Sequence, residues 1–514
     1  MSHTLVDTLV LKLTALLDQI GATADNHLWL GYSGGMDSEL LAYTLARFRL
    51  NHPNTPYQIS LVHVHHGLSC NADAWAAHCR QRAEHYGLNF VLRKVQLELG
   101  PRVSIEAEAR RARYQAIAEL LNPGDILLTA HHQDDQLETL LLALKRGQGP
   151  KGLAAMGQAQ HLALISRAEG APCWQLRPML DSSRAQIEQA VASLELPYIN
   201  DESNQDTQYD RNFLRAEVIP VLKQRWPSIA TTASRSAALC AEQQLLLDEV
   251  STEKLQPLLG RCRFSGVRVL DSAGLKVLSP QWQAQLLRQF IQMQRLPLPA
   301  QVQLQQALAQ LLDAREDAQL ELSFKGLLLK RYGQQIYAMA PLPGAAFQLL
   351  DGVGSVEDVA AKNSKLTLSQ KQLQALSQGQ SLSVGLTSPW QRLELTLADS
   401  GPRVALAQVM APLMASLSAS QGAKVQVSDV AAAPELVLGL KGSYRCQPHN
   451  RDKGRELKKL WHELGVPPWL RDRVPLLMQN GRLLALAGGF VERSALASGS
   501  EPGIVLKLVA EATS

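Results

Sequence analysis

From residue 27 onward, short β-rich apolar runs alternate with longer stretches whose apolar positions recur at helical spacing. Strands are predicted at Leu28–Tyr32, Ile59–Val64, Phe90–Val95 and Ile126–Ala130, and helices over 37–49, 72–86, 104–121 and 133–146. Gly87 and Gly147 stand just past two helix ends, and Asn122-Pro123-Gly124 stops a third. This alternation implies right-handed βαβ crossovers and a mostly parallel sheet with helices on both faces. In such a sheet ligands gather at the carboxyl ends of the strands. Ser33–Ser38, His63–His66 and His131–Asp135 all fall at such ends, so three segments would converge on one crevice.

The rest of the chain reads differently. Asp7, Lys12 and Asp18 interrupt the first apolar run, which suits an amphipathic helix better than a secretory signal or a membrane span. A second unit begins near Pro220: 213–250 has helical periodicity, Gln281–Gln294 and Val302–Leu312 are Gln-rich amphipathic helices with a solvated polar face, and Leu320–Ala338 alternates like strands. Pro341-Leu342-Pro343-Gly344 marks a boundary. The stretch 345–435 is rich in Ala, Ser and Leu and carries no readable chemistry, and strand-like runs at Leu483–Val491 and Ile504–Val509 close the chain. At 514 residues, about two to four domains are expected. The division read from these patterns is 1–222, 223–345 and 346–514. The fold class is α/β: an N-terminal Rossmann-like parallel sheet, a mainly helical middle domain and an α+β C-terminal domain.

Charge changes the picture only locally. The net charge of +4 is small for this size, but Lys441–Arg473 holds nine basic side chains against four acidic ones, with Tyr444, Trp461 and Trp469 interleaved. Such a block could meet a phosphate backbone and stack on bases, with a solvated charged helix as the plainer alternative. The six cysteines are scattered, with no C-x-x-C pair, which argues against a zinc ribbon or a disulfide framework and for reduced, mostly buried thiols in a cytoplasmic protein.

Ser33-Gly34-Gly35-Met36-Asp37-Ser38 joins the first strand to the first long helix of the alternation. Small residues let backbone N–H groups approach an anion, the helix N-terminus adds partial positive charge, and the hydroxyls add donors. Met36-Asp37-Ser38 stands where a Walker A loop needs Gly-Lys-Ser/Thr, so kinase and GTPase readings weaken. Further on, Thr129-Ala130-His131-His132-Gln133-Asp134-Asp135-Gln136-Leu137-Glu138 places His131, Asp135 and Glu138 roughly on one face of a helix starting near Gln133. Helix capping explains one of these acids, or two. The whole cluster suits holding Mg2+, orienting an ammonium group or accepting protons. His63, His65 and His66 read as satisfied or site-lining histidines. In Ser104–Tyr114, surface pairs Glu106–Arg110 and Glu108–Arg111 are expected, with one arginine turned toward the crevice.

The loop resembles that of the pyrophosphate-loop ATPases. The order of Ser33–Ser38, His63–Leu68, Glu106–Tyr114, His131–Thr139, Arg146–Gly149, Arg177–Leu180, Asp201–Asp206 and Tyr209–Arg215 is similar to that in the tRNA(Ile)-lysidine synthetase family. The likeness resumes at Lys458–Trp461 and Val466–Arg471. The resemblance implies a ligase acting on isoleucine tRNA with a CAU anticodon. ATP and Mg2+ activate the wobble cytidine, and free L-lysine is then joined to it. It implies ATP binding by Ser33, Gly34, Gly35, Met36, Asp37 and Ser38, and catalysis by His131, Asp134, Asp135, Glu138 and Arg111. It further implies metal binding by Asp37 and Asp135, and tRNA binding by Arg211, Arg215, Arg455, Lys458, Lys459 and Arg471. No membrane partner is expected, and oligomeric state is left open, a homodimer among the options. A tRNA thiolase would need a cysteine pair, and a non-catalytic RNA-binding relative would have lost the loop or the acids.

Overall fold

The computed structural model describes residues 4–510 apart from 53–56, 68, 98–104, 163–171, 203–205, 263, 316–319, 343, 346, 349–363, 388–389 and 412–431. Leu68, Ser104, Ser203, Asn204, Gln205 and Pro343, used in the readings above, lie outside the described residues. The chain forms two compact units, Met1–Glu249 and Val250–Ser514.

In the first unit, β1 (Leu28–Gly31), β2 (Ile59–His65), β3 (Asn89–Lys94), β4 (Ile126–Leu128), β5 (Ala159–His161) and β6 (Trp174–Leu176) form one sheet in the order β3-β2-β1-β4-β6-β5. All run parallel except β5, which pairs antiparallel with β6. The helices are α1 (Leu5–Gln19), α2 (Met36–Asn51), α3 (Ala72–His85), α4 (Ile105–Ala118), α5 (Gln133–Lys145), α6 (Pro150–Leu153) and α7 (Arg184–Ser193). Strand alternation sorts them onto two faces. Leu28 and Leu30 pack with Leu9 and Leu13 of α1, Leu41 and Leu45 of α2 and Ile187 of α7. Trp29, pointing the other way, packs with Val62, Leu127 and Ile117 of α4. The amphipathic reading of the N-terminus holds: α1 opens with a Thr4–Asp7 capping box and buries Val6, Leu9, Val10, Leu13, Leu16 and Leu17 on one stripe. Two further short helices, α8 (Asp210–Phe213) and α9 (Ile219–Arg225), flank a π turn at Leu214–Val218.

The second unit holds an antiparallel sheet of five strands, among them Glu321–Phe324, Leu327–Tyr332 and Gln335–Met339. Helices Pro280–Met293 and Gln301–Asp313 bury Leu287, Phe290, Leu304 and Leu311 against Leu270, Leu329 and Ile336 of this sheet. On the second of them the glutamines at 301, 303, 305, 306 and 310 face solvent. Two further five-stranded sheets share one core toward the C-terminus.

That core corrects one expectation. Trp461, 3% exposed, packs beside Leu457 and Leu460. Trp469 sits edge-on against Tyr332 and Tyr337, with the Lys330 ammonium 4.8 Å from its ring centre. Trp461 is spent on packing and is not available to stack on bases, and Trp469 is partly buried by its aromatic neighbours. Lys453, Arg455, Lys458 and Lys459 do face solvent. Among the described residues, no helix is long and apolar enough to cross a membrane.

Candidate active site

The chain passes from β1 to β2 and β3 on one side and returns to β4 and β6 on the other, so the strand order reverses between β1 and β4. In sheets of this kind the ligand crevice lies outside the carboxyl ends of the strands at this reversal. Its first wall is the Ser33–Ser38 loop. Gly35 caps α2 with no side-chain bond, which leaves the first N–H groups of the helix directed at whatever binds there. Ser33 Oγ accepts from the Gly35 N–H at 3.2 Å and lies 3.1 Å from Ser38 Oγ, which donates to the Gly35 carbonyl at 3.0 Å. Gly34 has φ +80°, and a Cβ there would fall 2.5 Å from Ile199 Cδ1 and 2.8 Å from Cys79 Sγ. Directly before the loop, the Tyr32 hydroxyl donates to the buried Glu39 carboxylate. Glu39 also takes the Tyr86 hydroxyl at 2.5 Å and Arg82 Nε at 2.8 Å, so its charge is compensated.

The Gly34→Ala variant is expected to lose about 1–3 kcal/mol from backbone strain alone. The added methyl also pushes on Ile199 and Cys79, so ATP binding should fall with stability. Thermal unfolding with and without ATP measures both: a lower midpoint and a smaller ATP-induced rise are expected.

The second wall is the start of α5, where the expected helix start and the expected acids coincide. His132 is the N-cap: its Nδ1 accepts the Asp134 N–H at 3.2 Å, and Asp135 Oδ2 accepts the His132 N–H at 2.9 Å. Capping therefore accounts for one oxygen of Asp135. The other receives Arg215 Nη2 at 2.7 Å, and Arg215 Nε also donates to Glu138 Oε1. Asp134 Oδ2 pairs with Lys223 Nζ at 2.5 Å. His132 Nε2 stands 3.7 Å from Asp37 Oδ2 and 3.6 Å from Asp135 Oδ2, joining the two walls. Among the described residues, three buried carboxylate oxygens have no hydrogen-bond partner: Asp37 Oδ1, Asp134 Oδ1 and Glu138 Oε2.

These environments set the acids apart. Burial raises the Glu138 carboxyl above its ordinary range, only partly offset by Arg215. Burial likewise raises Asp37, against His132, and Asp135 adds to the rise. Asp135 goes the other way: burial would raise it, but His132, His131 and Arg215 hold it down. His131 is pushed down to about 3, first by burial and then by Arg177, Arg110 and Arg211, against the pull of Asp135.

Comparisons with known proteins agree with this reading. The PP-loop domain model matches residues 6–222, the TilS substrate binding domain 270–337, and the TilS substrate C-terminal domain 436–508. A tRNA(Ile)-lysidine synthase from Shewanella oneidensis is 47% identical over 491 residues, covering 95% of this chain and 96% of that one. The synthase of Escherichia coli O157:H7 is 36% identical over 479 residues, covering 92% and 94%. The chain belongs to the tRNA(Ile)-lysidine synthase family. It is accordingly a ligase of tRNA processing with an ATP-binding PP-loop domain, built on an α/β fold.

Within that family frame, the structure brings together most of the site residues read from sequence. Ser33–Ser38, Asp37, Asp134, Asp135 and Glu138 share the crevice, and Arg215 lies across two of its acids. Arg111 forms the pair with Glu108 expected from sequence, through Nε at 2.9 Å and Nη2 at 2.6 Å, and its Nη1 holds Gln115 at 3.0 Å. Arg110 stacks over Tyr114, and Glu106 pairs with Arg211 at 3.8 Å instead of with Arg110. His63 is satisfied by the Tyr32 carbonyl at 2.9 Å. Arg455 shares Glu463 with Arg451, Arg471 Nε donates to the Val466 carbonyl at 3.2 Å, and Lys458 and Lys459 stand on an exposed face.

The sequence carries no local signal for the partners of His132, Arg177, Lys223 and Gln175, with one exception. A polar residue inside an apolar strand, as Gln175 is in Trp174-Gln175-Leu176, was the available signal for the last.

The donor set also tests the fit of Mg2+, which takes one or two carboxylates plus substrate phosphates. Asp37 has an oxygen to offer. Each Asp135 oxygen already accepts one hydrogen bond and keeps one lone pair, so Asp37 is the less encumbered of the two carboxylates expected from sequence. Among the described residues, no group of three His, Cys, Asp or Glu side chains could by itself enclose a metal.

Proposed function

We propose that the enzyme joins free lysine to C2 of the wobble cytidine of tRNA(Ile) with a CAU anticodon. The product, lysidine, pairs with A, so reading changes from AUG to AUA. The observation that carries this reading is the meeting, at the β1/β4 crevice, of an anion-cradling loop with an acid cluster whose Glu138 keeps one buried oxygen unpartnered. One wall suits ATP and the other suits an amine.

In the first step cytidine O2 attacks the α-phosphorus of ATP, and the bond to pyrophosphate breaks. Backbone N–H groups at the start of α2, with Ser33 and Ser38, steady the charge gathering on the phosphoryl oxygens. Asp37 would hold Mg2+, which when bound neutralises charge on the phosphates.

In the second step the lysine ε-nitrogen attacks C2, the C2–O2 bond breaks, and AMP leaves. Free lysine carries its proton at neutral pH, with a reference pKa of about 10.4. Glu138 accepts that proton: its Oε2 has no competing donor, and its raised pKa brings it closer to the task. Asp135, locked by His132 and Arg215, orients the cluster, and Asp134 offers its second oxygen to the ammonium group. Arg211, with Arg110, supplies positive charge at the crevice toward which the flipped cytidine is drawn. We place the reaction in the cytoplasm, where tRNA and free lysine meet.

The test is tRNA incubated with ATP radiolabelled at its α-phosphate, without lysine. RNA-bound label that is released as AMP when lysine is added is the expected result. AMP formed with no RNA-bound label, or label transferred to lysine, would overturn the sequence of steps.

The exposed basic face of the C-terminal segment is assigned to the tRNA backbone. Replacing Lys458 and Lys459 by alanine should weaken tRNA binding and lower the slope of log affinity against log salt by roughly 1–2. Filter binding across a salt series measures it, and an unchanged affinity and slope would remove these residues from the interface.

A further inference from the structure

We propose that Gln175 is a positioning residue for His131, acting through Thr129 to fix the imidazole proton on Nε2 and present that N–H to the crevice as a donor. This deepens the function proposed above and rests on it only for what the donor is used for.

The argument is one of hydrogen-bond direction. A guanidinium has donors and no acceptor. Arg177 Nη2 lies 2.8 Å from Gln175 Oε1, so that end of the amide is the oxygen, and Gln160 Nε2 adds a second donor at 3.1 Å. Arg177 is itself anchored by the Gly157 carbonyl, 2.7 Å from Nη1. With the oxygen so placed, Gln175 Nε2 must face the other way, and it donates to Thr129 Oγ1 at 3.1 Å and to the Tyr114 hydroxyl at 3.2 Å. Thr129 thus accepts from Gln175 and has one hydrogen to give. Among the described residues His131 Nδ1, 2.9 Å from Thr129 Oγ1, is the one acceptor within reach of that hydrogen, so the hydroxyl donates to it. A ring nitrogen that accepts carries no proton, so in the neutral imidazole the proton is on Nε2.

Every member of the relay is held. Gln175 is 1% exposed and Arg177 2% exposed, each on or next to β6, and Thr129 and His131 follow β4, its neighbour in the sheet. Burial and the three surrounding arginines keep the ring neutral at physiological pH.

The consequence for the reaction is specific. A neutral imidazole protonated at Nε2 has no lone pair there with which to take a proton from lysine. It can donate, without carrying a full charge, to an oxygen that becomes more negative in the transition state. Within the proposed adenylation, the fitting acceptor is a phosphoryl oxygen of the α-phosphate. This removes His131 from the candidate bases and leaves that role to Glu138.

The experiment uses the full-length protein with 15N-labelled histidine. The His131 ring signals are identified by their loss in His131→Asn, and their 15N shifts report which nitrogen is protonated. The wild type should show protonated Nε2 and unprotonated Nδ1. In Gln175→Glu the carboxylate accepts from Thr129, the hydroxyl turns away, and the His131 proton should move to Nδ1. In Thr129→Val, a near-isosteric change, the preference should be lost.

Both variants should lower kcat for RNA adenylation about tenfold to a hundredfold, the usual scale for a residue that orients a site group. KM for ATP should stay within about twofold, since the loop that binds ATP is untouched. A wild-type ring protonated at Nδ1, or a tautomer unchanged in both variants, would overturn the proposal. Because the tautomer is read without substrate, its failure is distinguishable from a failure of wild-type enzyme to modify tRNA, which would overturn the functional reading instead.

Discussion

Glu138→Gln is expected to abolish lysine transfer, by about 10²–10⁴-fold, while RNA adenylation survives. The glutamine keeps the shape of the side chain and removes its capacity to take a proton. Folding should withstand the change. Glu138 has a raised pKa, so its stabilising contribution is present where it is protonated and is lost as pH rises through the folded value; at neutral pH its buried charge is a cost. Removing that charge relieves the cost. Arg215 meanwhile keeps Asp135 as a partner at 2.7 Å, so no buried cation is stranded. A quench-flow assay on RNA-bound AMP and labelled lysine separates the steps: the variant should accumulate adenylated tRNA. Normal lysine transfer would remove Glu138 from the proton-accepting role.

Asp37→Asn should do the reverse, blocking adenylation by about three orders of magnitude or more and so preventing any RNA-bound AMP from forming. Asp37 is the one acid on the loop wall, and its Oδ1 is buried without a partner among the described residues. Its pKa is also raised, chiefly by burial, so the same sign applies: the neutral isostere should unfold at an equal or higher temperature than the wild type. A stable, inactive protein is the expected outcome. An active one would remove the need for a carboxylate on the loop.

The sheet of the first unit was legible because four of its strands, β1 to β4, are apolar runs flanked by helices with clear stops. The strands β5 and β6 were not, since each is three residues long and carries glutamine at its centre. Tertiary pairing makes them strands, and no local period announces it. In the site, the loop and the acids of α5 could be read directly, because their chemistry is contiguous in sequence. Arg215 could not be placed: 77 residues separate it from Glu138, and as one of two arginines in Tyr209–Arg215 it read as a guide for RNA. The fold turns it onto two buried carboxylates. Local pairs on α4 were half legible: Glu108–Arg111 forms as its spacing suggests, whereas Glu106 pairs with the distant Arg211 and not with Arg110. Trp461 misled for another reason. Aromatic side chains among basic ones suit an RNA surface and a core boundary equally, and only the packing beside Leu457 and Leu460 decides.

The central claim is that one crevice performs both halves of a lysine ligation on a single tRNA. Incubating the protein with ATP, labelled lysine and a panel of tRNA transcripts that differ only in anticodon and acceptor stem tests it most directly. Label should enter the tRNA(Ile) transcript with a CAU anticodon, in an amount equal to the AMP released, and should stay out of transcripts that lack either feature. Labelling that ignores the anticodon and the acceptor stem, or AMP released with no lysine in the RNA, would contradict it.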